Sequence, residues 1–292
     1  MSNKQLADSQ FPEDTWTPIP HPFLRRWRIY AGILKRWLIV SASLRPPLVR
    51  DRKLVERSYT GLWRGSPASV HPTARERAVR DYRGALYEVP KIAMRKIYLR
   101  EMSRALGGFG GVESVLELGS GNGINVLSFA ALHPEIRVWR GIEMTPEGVA
   151  AAGRLREHLP LDKLAYLTGL GREAVGRRLA GRDIKFQQGS ILELPFAVRS
   201  FDVVFSSLVI EQIPRDYPQA FREARRVARL GGFFIEEFRE AQSNVFQRMQ
   251  LSNLDYFRAS YREAERAGWR LQSFERLPMN KIQFSSGLLV CS

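Results

Sequence analysis

Residues 115–123 read Val-Leu-Glu-Leu-Gly-Ser-Gly-Asn-Gly, and this stretch decides the fold. Its first four residues suit a buried strand, and residues 124–132, which follow the last glycine, carry helix-forming apolar residues and no helix breaker. The pattern predicts a strand, a glycine-rich turn and a helix. Gly119, Gly121 and Gly123 can take backbone angles closed to other residues, and they place no side chain between the main chain and a ligand. We therefore expect a ligand to lie against the main chain at the amino end of the helix.

The spacing of the glycines separates two classes of ligand. A dinucleotide-binding turn reads G-x-G-x-x-G, whereas here the third glycine comes one residue early and Ile124 stands where that pattern needs glycine. This spacing argues against NAD and FAD. The run E-L-G-S-G-N-G at 117–123 resembles instead the first motif of class I S-adenosylmethionine-dependent methyltransferases of the type 11 kind. The resemblance implies an α/β, Rossmann-like fold with a seven-stranded, mostly parallel sheet, an antiparallel last strand, and S-adenosyl-L-methionine as cofactor.

An acidic residue follows the predicted second strand, residues 136–142. Glu143 comes 20 positions after Gly123, and a carboxylate at the end of this strand can accept hydrogen bonds from both hydroxyls of a ribose. In the resembling family this residue holds the ribose of the cofactor. The alternative is a solvated carboxylate that caps the helix beginning near Thr145. Combined with the glycine turn, the position favours cofactor binding by Glu143 and Met144.

Two further motifs follow the predicted third strand, residues 184–188. Residues 189–196 resemble the family's G-D-[AILV] and L-P-F pieces, but Ser190 replaces the aspartate that accepts from the adenine amino group, and a neutral serine is the weaker acceptor. Residues 200–211 resemble the fourth strand and its loop, which enter the site. The expected cofactor-binding residues are Glu117, Gly119, Ser120, Gly121, Asn122, Gly123, Glu143, Met144, Ser190, Ile191 and Ser207.

The remaining pattern completes a methyltransferase domain at 111–292. A helical insertion at about 161–181 is expected to extend the substrate wall. A helix over 217–230 is expected to stop at Gly231-Gly232, before a fifth strand at 233–237. A helix over 256–267 and strands at 269–275 and 286–291 follow. The resemblance covers about residues 112–292 and says little about the rest.

The amino-terminal part of the chain is strongly basic. Residues 1–110 hold 21 Lys and Arg against nine Asp and Glu, a net charge of +12, and the remaining residues carry only +3. We expect an extended or disordered arm at 1–22 and a basic helical cap at 23–110. The cap is predicted to contain helices at 23–44, 51–59, from Pro72-Thr73 to Tyr87, and at 91–106.

The first cap helix is amphipathic. One face carries Phe23, Trp27, Tyr30, Leu34 and Leu38, and the other carries Arg25, Arg28, Gly32, Lys35 and Arg36. This pattern has two interpretations: the helix packs on the catalytic domain with a solvated cationic face, or it contacts an anionic membrane surface or a lipid-linked substrate. Nucleic acid is a weaker candidate, because acidic residues are interspersed in the cap and it has no RNA-binding module.

The composition limits the chemistry. The apolar stretch 29–44 is too short and too charged to span a membrane, and no secretory signal is recognised, so a cytoplasmic protein is expected. Cys291 is the single cysteine, which excludes an internal disulfide, and no residues have the spacing of metal ligands.

Methyl transfer from a sulfonium needs alignment more than acid–base help. Methylation of a hydroxyl is faster when a general base removes its proton. Glu211 is the first candidate for this base, and His71 and Tyr82 are weaker candidates. The alternative for Glu211 is a solvated or helix-capping side chain. The sequence predicts an S-adenosylmethionine-dependent methyltransferase that acts, most simply at oxygen, on a small-molecule or glycan- or lipid-linked acceptor. Methylation of RNA or protein, and a catalytically inactive cofactor-binding scaffold, are the alternatives.

Overall fold

The computed structural model describes residues 16–64 and 76–292. Most of the predicted arm lies outside the described residues. The strands within them are, in chain order, β1 (Thr17–Pro18), β2 (Arg77–Tyr82), β3 (Ala85–Pro90), β4 (Ser114–Leu118), β5 (Val138–Glu143), β6 (Asp183–Gln188), β7 (Phe201–Ser207), β8 (Ala228–Glu236), β9 (Leu271–Arg276), β10 (Met279–Asn280) and β11 (Gly287–Cys291). The helices are α1 (Pro22–Ser41), α2 (Arg52–Arg64), α3 (Ala93–Leu106), α4 (Ile124–Leu132), α5 (Pro146–Glu157), α6 (Leu161–Thr168), α7 (Arg172–Leu179), α8 (Tyr217–Val227), α9 (Val245–Asn253) and α10 (Glu263–Arg266).

Seven strands form the large sheet, in the order β6-β5-β4-β7-β8-β11-β9. Strands β4 to β8 run parallel, and β11 is antiparallel to both of its neighbours. The predicted fold class, a mostly parallel seven-stranded sheet with an antiparallel last strand, is confirmed. In this order β4 and β7 are neighbours at the centre, so the turn after β4 and the loop after β7 meet at the same edge of the sheet.

Two apolar layers cover the faces of the sheet. On one face the buried Phe129 ring stacks on Trp139 at 6.2 Å between ring centroids, and Phe205 stacks on Phe233 at 5.1 Å. Phe234, the next residue along β8, points to the other face and packs edge-on against Phe221. Because successive strand residues face opposite layers, the central strands β7 and β8 carry consecutive apolar residues, at 203–205 and 233–235.

Part of the predicted cap is a sheet and not a helix. Where a helix was expected up to Tyr87, the chain forms the β2–β3 hairpin, and β1 and β10 complete a four-stranded antiparallel sheet. The hairpin loop is the two residues Arg83 and Gly84, both with positive φ (50° and 93°), the geometry of the two-residue turns that join twisted strands. His71 and the start of the predicted helix lie outside the described residues. The cap therefore combines helices with strands, one of them from the carboxyl-terminal part of the chain.

Two boundaries in the methyltransferase domain also differ from expectation. The helix predicted over 217–230 ends at Val227, and β8 runs through Gly231-Gly232. These glycines stand inside a strand because it is crowded: a Cβ on Gly231 would meet the Cys291 carbonyl oxygen and the Phe109 ring, and one on Gly232 would lie 2.9 Å from the Val204 carbonyl oxygen. They are packing residues and not helix breakers.

The helix predicted over 256–267 is wrong for its first half. A helix forms earlier, over Val245–Asn253, where the Asn244 side chain accepts a hydrogen bond from Gln247 N. Asp255 then adopts a left-handed backbone conformation (φ 49°), and its carboxylate accepts bonds from Arg50 N and Arg215 Nη1. These long-range bonds hold Asp255 in the turn, and only Glu263–Arg266 of the predicted helix is helical.

Candidate active site

The glycine turn after β4 has the predicted backbone geometry. Gly119, Gly121 and Gly123 all have positive φ, at 67°, 53° and 75°. A Cβ on Gly121 would lie 2.7 Å from the Trp63 ring, which α2 lays across the turn, and a Cβ on Gly123 would overlap the Phe186 ring. The turn is thus bounded by Trp63 on one side and by Phe186 of β6 on another, and side chains at these glycines would not fit.

Glu143 is fixed at the end of β5 by three donors. Its Oε2 accepts from Gly121 N at 3.1 Å, and its Oε1 accepts from Thr145 N at 3.0 Å and from Thr145 Oγ1 at 2.7 Å. The side chain is 5% exposed. Thr145, and not Glu143, caps helix α5, since its Oγ1 accepts from Gly148 N. A carboxylate has about four acceptor positions and these donors use three, so Glu143 keeps one position, on Oε2, for a ligand hydroxyl.

One cavity of about 480 Å³ runs along this edge of the large sheet. Of the predicted cofactor-binding residues, it is lined by Gly119, Ser120, Gly121, Asn122, Glu143, Met144, Ser190, Ile191 and Ser207, and the predicted base Glu211 lines it as well. Ser190 Oγ accepts a bond from Leu192 N at 3.1 Å. Nine of the eleven expected cofactor-binding residues therefore line this cavity.

Glu117 and Gly123 do not line this cavity. Glu117 lies behind the turn, 1% exposed, where its Oε1 accepts from Asn125 Nδ2 at 2.7 Å and Asn125 in turn accepts from Arg95 Nη1. Burial, opposed by Asn125 and Arg95, raises the pKa of Glu117 to about 8. Glu117 is a supporting residue of the turn in this geometry, and Gly123 packs against Phe186.

The residues present fit an S-adenosylmethionine molecule. The turn offers main chain without side chains, Glu143 offers acceptor capacity, and two buried polar atoms beside the turn, Trp63 Nε1 and Ser120 Oγ, have no hydrogen-bond partner. Burying such atoms unpaired is costly. The carboxylate and ammonium groups of a methionine moiety are the kind of partner that would satisfy them.

Three buried carboxylates lie beyond the turn, at the loop after β7 and the end of β8. Glu211, Glu236 and Glu237 are 4%, 0% and 1% exposed. Glu236 accepts from Ser206 Oγ at 2.5 Å and from the main-chain N of Val209 and Glu211, so it holds the loop in place. Glu211 Oε1 accepts from Gln212 Nε2, whereas Glu211 Oε2 and Glu237 Oε2 have no partner.

Burial makes these carboxylates hard to ionise. It raises the pKa of Glu211 to about 7, against the opposing attraction of Lys281, the Gln212 hydrogen bond and Arg50. It raises the pKa of Glu236 to about 8, and Glu211 raises it further. The pKa of Glu237 lies well above its usual value for the same two reasons. A carboxylate with a pKa near neutrality can take up and release a proton at neutral pH, which is what a general base requires.

The cap supplies part of the cavity wall, through residues that the sequence did not identify. Arg50 bonds to Gln212 Oε1 at 2.7 Å and stacks on Tyr256, placing it beside Glu211. The wall of the cavity is also lined by residues from four further segments: Tyr59 and Trp63 of α2, Arg80 of β2, Tyr98 of α3, and Lys281 after β10. These residues come from distant segments, and no local spacing marks them. Tyr82, a weaker predicted base, does not line the cavity; its ring packs on Trp16.

The predicted helical insertion reaches the cavity through α6. Lys163 and Leu167 line the wall, in agreement with the expectation that extra helices extend it. The arginines of α7 do not line it. Exposed ion pairs join Arg172 to Asp162 and Arg177 to Glu173 on the outer surface.

Residues 116–235 match a family model described as a methyltransferase domain. The ubiquinone/menaquinone biosynthesis C-methyltransferase UbiE of Brucella anthropi is 33% identical over 102 residues, which are 35% of this chain and 38% of that protein. The protein of the same name from Rhizobium rhizogenes is 27% identical over 144 residues, 47% of this chain and 55% of that protein. The chain thus spans 38% to 55% of the length of these curated relatives.

Among solved structures, the [4+2]-cyclase SpnF aligns with a TM-score of 0.55 at 16% identity, over 84% of this chain and 97% of that chain. At this identity the likeness establishes the fold. Together with the family match, it identifies residues 116–235 as part of a methyltransferase domain with this fold. The predictions of family, enzyme class and methyl donor are confirmed for this domain.

Proposed function

We propose that the protein transfers a methyl group from S-adenosylmethionine to a small-molecule acceptor that enters under the cap. The observation that carries this proposal is the Glu143 carboxylate, held by three internal donors at the end of β5 and facing the same cavity as the glycine turn and Glu211. A tight turn without a ligand would need neither a buried carboxylate aimed at the cavity nor side-chain-free glycines along its wall.

The donor is proposed to lie along the carboxyl edge of β4, β5 and β6. Glu143 Oε2 would accept from a ribose hydroxyl, and Gly119, Ser120, Gly121 and Asn122 would carry the methionine moiety. Met144, Ser190, Ile191 and Ser207 also line the cavity, and the first three would contact the adenine. When bound, S-adenosylmethionine supplies an electrophilic methyl group on a sulfonium.

Glu211 is the proposed general base. An acceptor hydroxyl that forms a bond to the methyl carbon must lose its proton, and Glu211 Oε2, buried and without a partner, is available to take it. Its pKa of about 7 suits this step at neutral pH. The UbiE relatives are described as C-methyltransferases, so a carbon acceptor competes with oxygen; an aromatic carbon also loses a proton after methylation, and Glu211 serves in either case.

The proposed acceptor has an apolar part. If it is lipid-linked, the protein would reach it by binding to the surface of the membrane that holds it. Helix α1 packs on the protein through Tyr30 and Ile33, while Phe23, Trp27 and Leu38 of the same helix are 74%, 56% and 52% exposed. The exposed apolar stripe is flanked by exposed Arg28 and Lys35. Apolar and basic side chains on one exposed face are typical of helices that lie on anionic bilayers.

The protein is therefore proposed to be cytoplasmic and to bind a membrane surface reversibly. Within residues 16–64 and 76–292, no helix is both long and apolar enough to cross a membrane.

Two assays test the donor and the reaction. Calorimetric titration with S-adenosylhomocysteine should give saturable binding; no binding below about 1 mM would refute the proposal. Incubation with methyl-labelled S-adenosylmethionine and a small-molecule and lipid extract should move label into an organic-soluble product, and the Glu211→Gln variant should do so about 100-fold more slowly while binding S-adenosylhomocysteine normally. Label that appears instead in RNA or protein would refute a small-molecule acceptor.

Vesicle sedimentation tests the membrane contact. Vesicles with anionic phosphatidylglycerol should bind the protein, and neutral phosphatidylcholine vesicles should bind it weakly. The Arg28→Gln/Lys35→Gln variant should lose about tenfold or more in affinity, since each basic residue near such a surface is worth about 1 kcal/mol. The matched control, Arg172→Gln/Arg177→Gln, also removes two exposed basic residues but on α7, and should bind as the wild type does. Equal losses in the two variants would contradict a role for α1.

A further inference from the structure

We infer that the acceptor carries an anionic group, a carboxylate or a phosphate, and that Arg80, assisted by Lys281, binds it inside the cavity. This inference rests on the proposed function, because it assigns a substrate class to the same site. Arg80 and Lys281 both line the cavity. The β2–β10 register pairs Asp81 with Asn280, and Arg80 and Lys281 are the next residues along these two segments.

The guanidinium of Arg80 has bonding capacity that the protein does not use. Its Nη1 donates to the Val79 carbonyl oxygen at 3.0 Å, while its Nε is buried and has no partner. The Nε edge of a guanidinium is one that binds a carboxylate or phosphate through two parallel hydrogen bonds. A buried donor without a partner is costly, so an anion from the acceptor would stabilise this arrangement.

Two arginines near Arg80 do pair with carboxylates of the cap sheet. Arg26 pairs with Asp81 at 2.7 Å, and Arg77, on the same strand as Arg80, pairs with Glu88. Among the described residues, no carboxylate forms an ion pair with Arg80. Burial also lowers the pKa of the Arg80 guanidinium from its usual value. An unpaired cation in such a place is expected where a ligand supplies the opposite charge.

The donor alone does not account for these cations. S-adenosylmethionine has one carboxylate, and Arg95 lies nearer to the glycine turn, bonded to Asn125 and influencing the pKa of Glu117. Lys281 lies instead at the other end of the cavity, where it influences the pKa of Glu211 and Glu237. An anionic group held by Arg80 and Lys281 would therefore belong to the acceptor, close to the proposed base.

The test compares matched aromatic probes on protein saturated with S-adenosylhomocysteine, so that the donor carboxylate site is filled. Phenyl phosphate, benzoate and benzamide are titrated, with binding followed by ligand-observed NMR. The wild type should bind at least one of the two anions about tenfold more tightly than neutral benzamide, as a charge-assisted bidentate pair implies. The anion that binds more tightly distinguishes a phosphate-bearing from a carboxylate-bearing acceptor.

Variants assign the effect to Arg80. Arg80→Met should abolish the preference for the anion, and Arg80→Lys, which keeps the charge, should retain part of it. Arg77→Met, on the same strand but outside the cavity, should behave as the wild type. S-adenosylhomocysteine binding, unchanged within about twofold in all three, shows that the variants are folded.

Equal affinity for the three probes, no binding at millimolar concentration, or an anion preference that survives in Arg80→Met would overturn the inference. Failure of the wild type to bind S-adenosylhomocysteine would instead overturn the proposed function, so the two failures are distinguishable.

Discussion

Replacing Glu143 by glutamine tests the donor site most sharply, because the change keeps the side chain's size. The carboxylate accepts from Gly121 N on one oxygen and from Thr145 N and Oγ1 on the other. A glutamine must turn its amide NH₂ towards one of these donors, and it removes the negative charge that would accept from the ribose. A hydrogen bond to a charged group is worth about 1.5–3 kcal/mol, so the loss of the ribose contact to Oε2 should raise Kd by about 10- to 100-fold.

Isothermal calorimetry with S-adenosylhomocysteine measures this loss. Chemical denaturation measures the separate cost of the donor left unpaired, about 1–3 kcal/mol of unfolding free energy. Glu157→Gln, an exposed position at the end of the helix that follows Glu143, is the control and should leave the Kd unchanged. A Kd for Glu143→Gln within about threefold of the wild type would refute the assignment of Glu143 to the ribose.

Three further predictions concern the turn, the acid cluster and the core. Gly121→Ala should weaken S-adenosylhomocysteine binding at least about tenfold, because φ is 53° there and a Cβ would lie 2.7 Å from the Trp63 ring; unchanged affinity by calorimetry would contradict the described contact. Glu211 has a folded-state pKa of about 7 against an ordinary 4.5, so the folded state binds the extra proton and stability falls as pH rises through this window. Relative to the wild type, Glu211→Gln should therefore gain up to about 3 kcal/mol in unfolding free energy between about pH 4 and pH 8, and a pH-independent difference in urea denaturation would count against it. Trp139→Ala, which empties a fully buried site stacked on Phe129, should cost about 3–5 kcal/mol in the same assay, and a loss below about 1 kcal/mol would contradict its place in the core.

The sequence predicted the donor side of the site because its signals are local. The glycine turn needs positive φ at fixed positions, and only glycine meets that need without strain, so residues 119–123 reveal their geometry directly. Glu143 follows a strand whose length and apolar character are themselves readable. Ser190 and Ser207 were located through the strands that precede them.

The acceptor side could not be predicted in the same way, because its residues are brought together by tertiary contacts. Arg80 was expected on a helix, since its neighbours are good helix formers; the Arg83-Gly84 turn was the available signal for a hairpin. Lys281 reaches the site only because β10 joins the cap sheet. Arg50 is positioned by Asp255, some 200 residues away in the chain. Pairings at this range leave no periodic trace in the sequence.

The same limit explains the first cap helix. The apolar pattern correctly predicted a helix, but periodicity does not show which apolar side chains pack against the rest of the protein. Tyr30 stacks on Phe246 and Ile33 is buried, whereas Phe23 and Trp27, on the adjoining face, are exposed.

The central claim, that this edge of the sheet is a methyl-donor site, is tested most directly by a crystal structure with S-adenosylhomocysteine. We predict that a ribose hydroxyl lies within hydrogen-bonding distance of Glu143 Oε2, that the homocysteine moiety crosses Gly119–Gly121 under Trp63, and that its sulfur faces Glu211. A ligand bound elsewhere, or a ribose that does not contact Glu143, would contradict it.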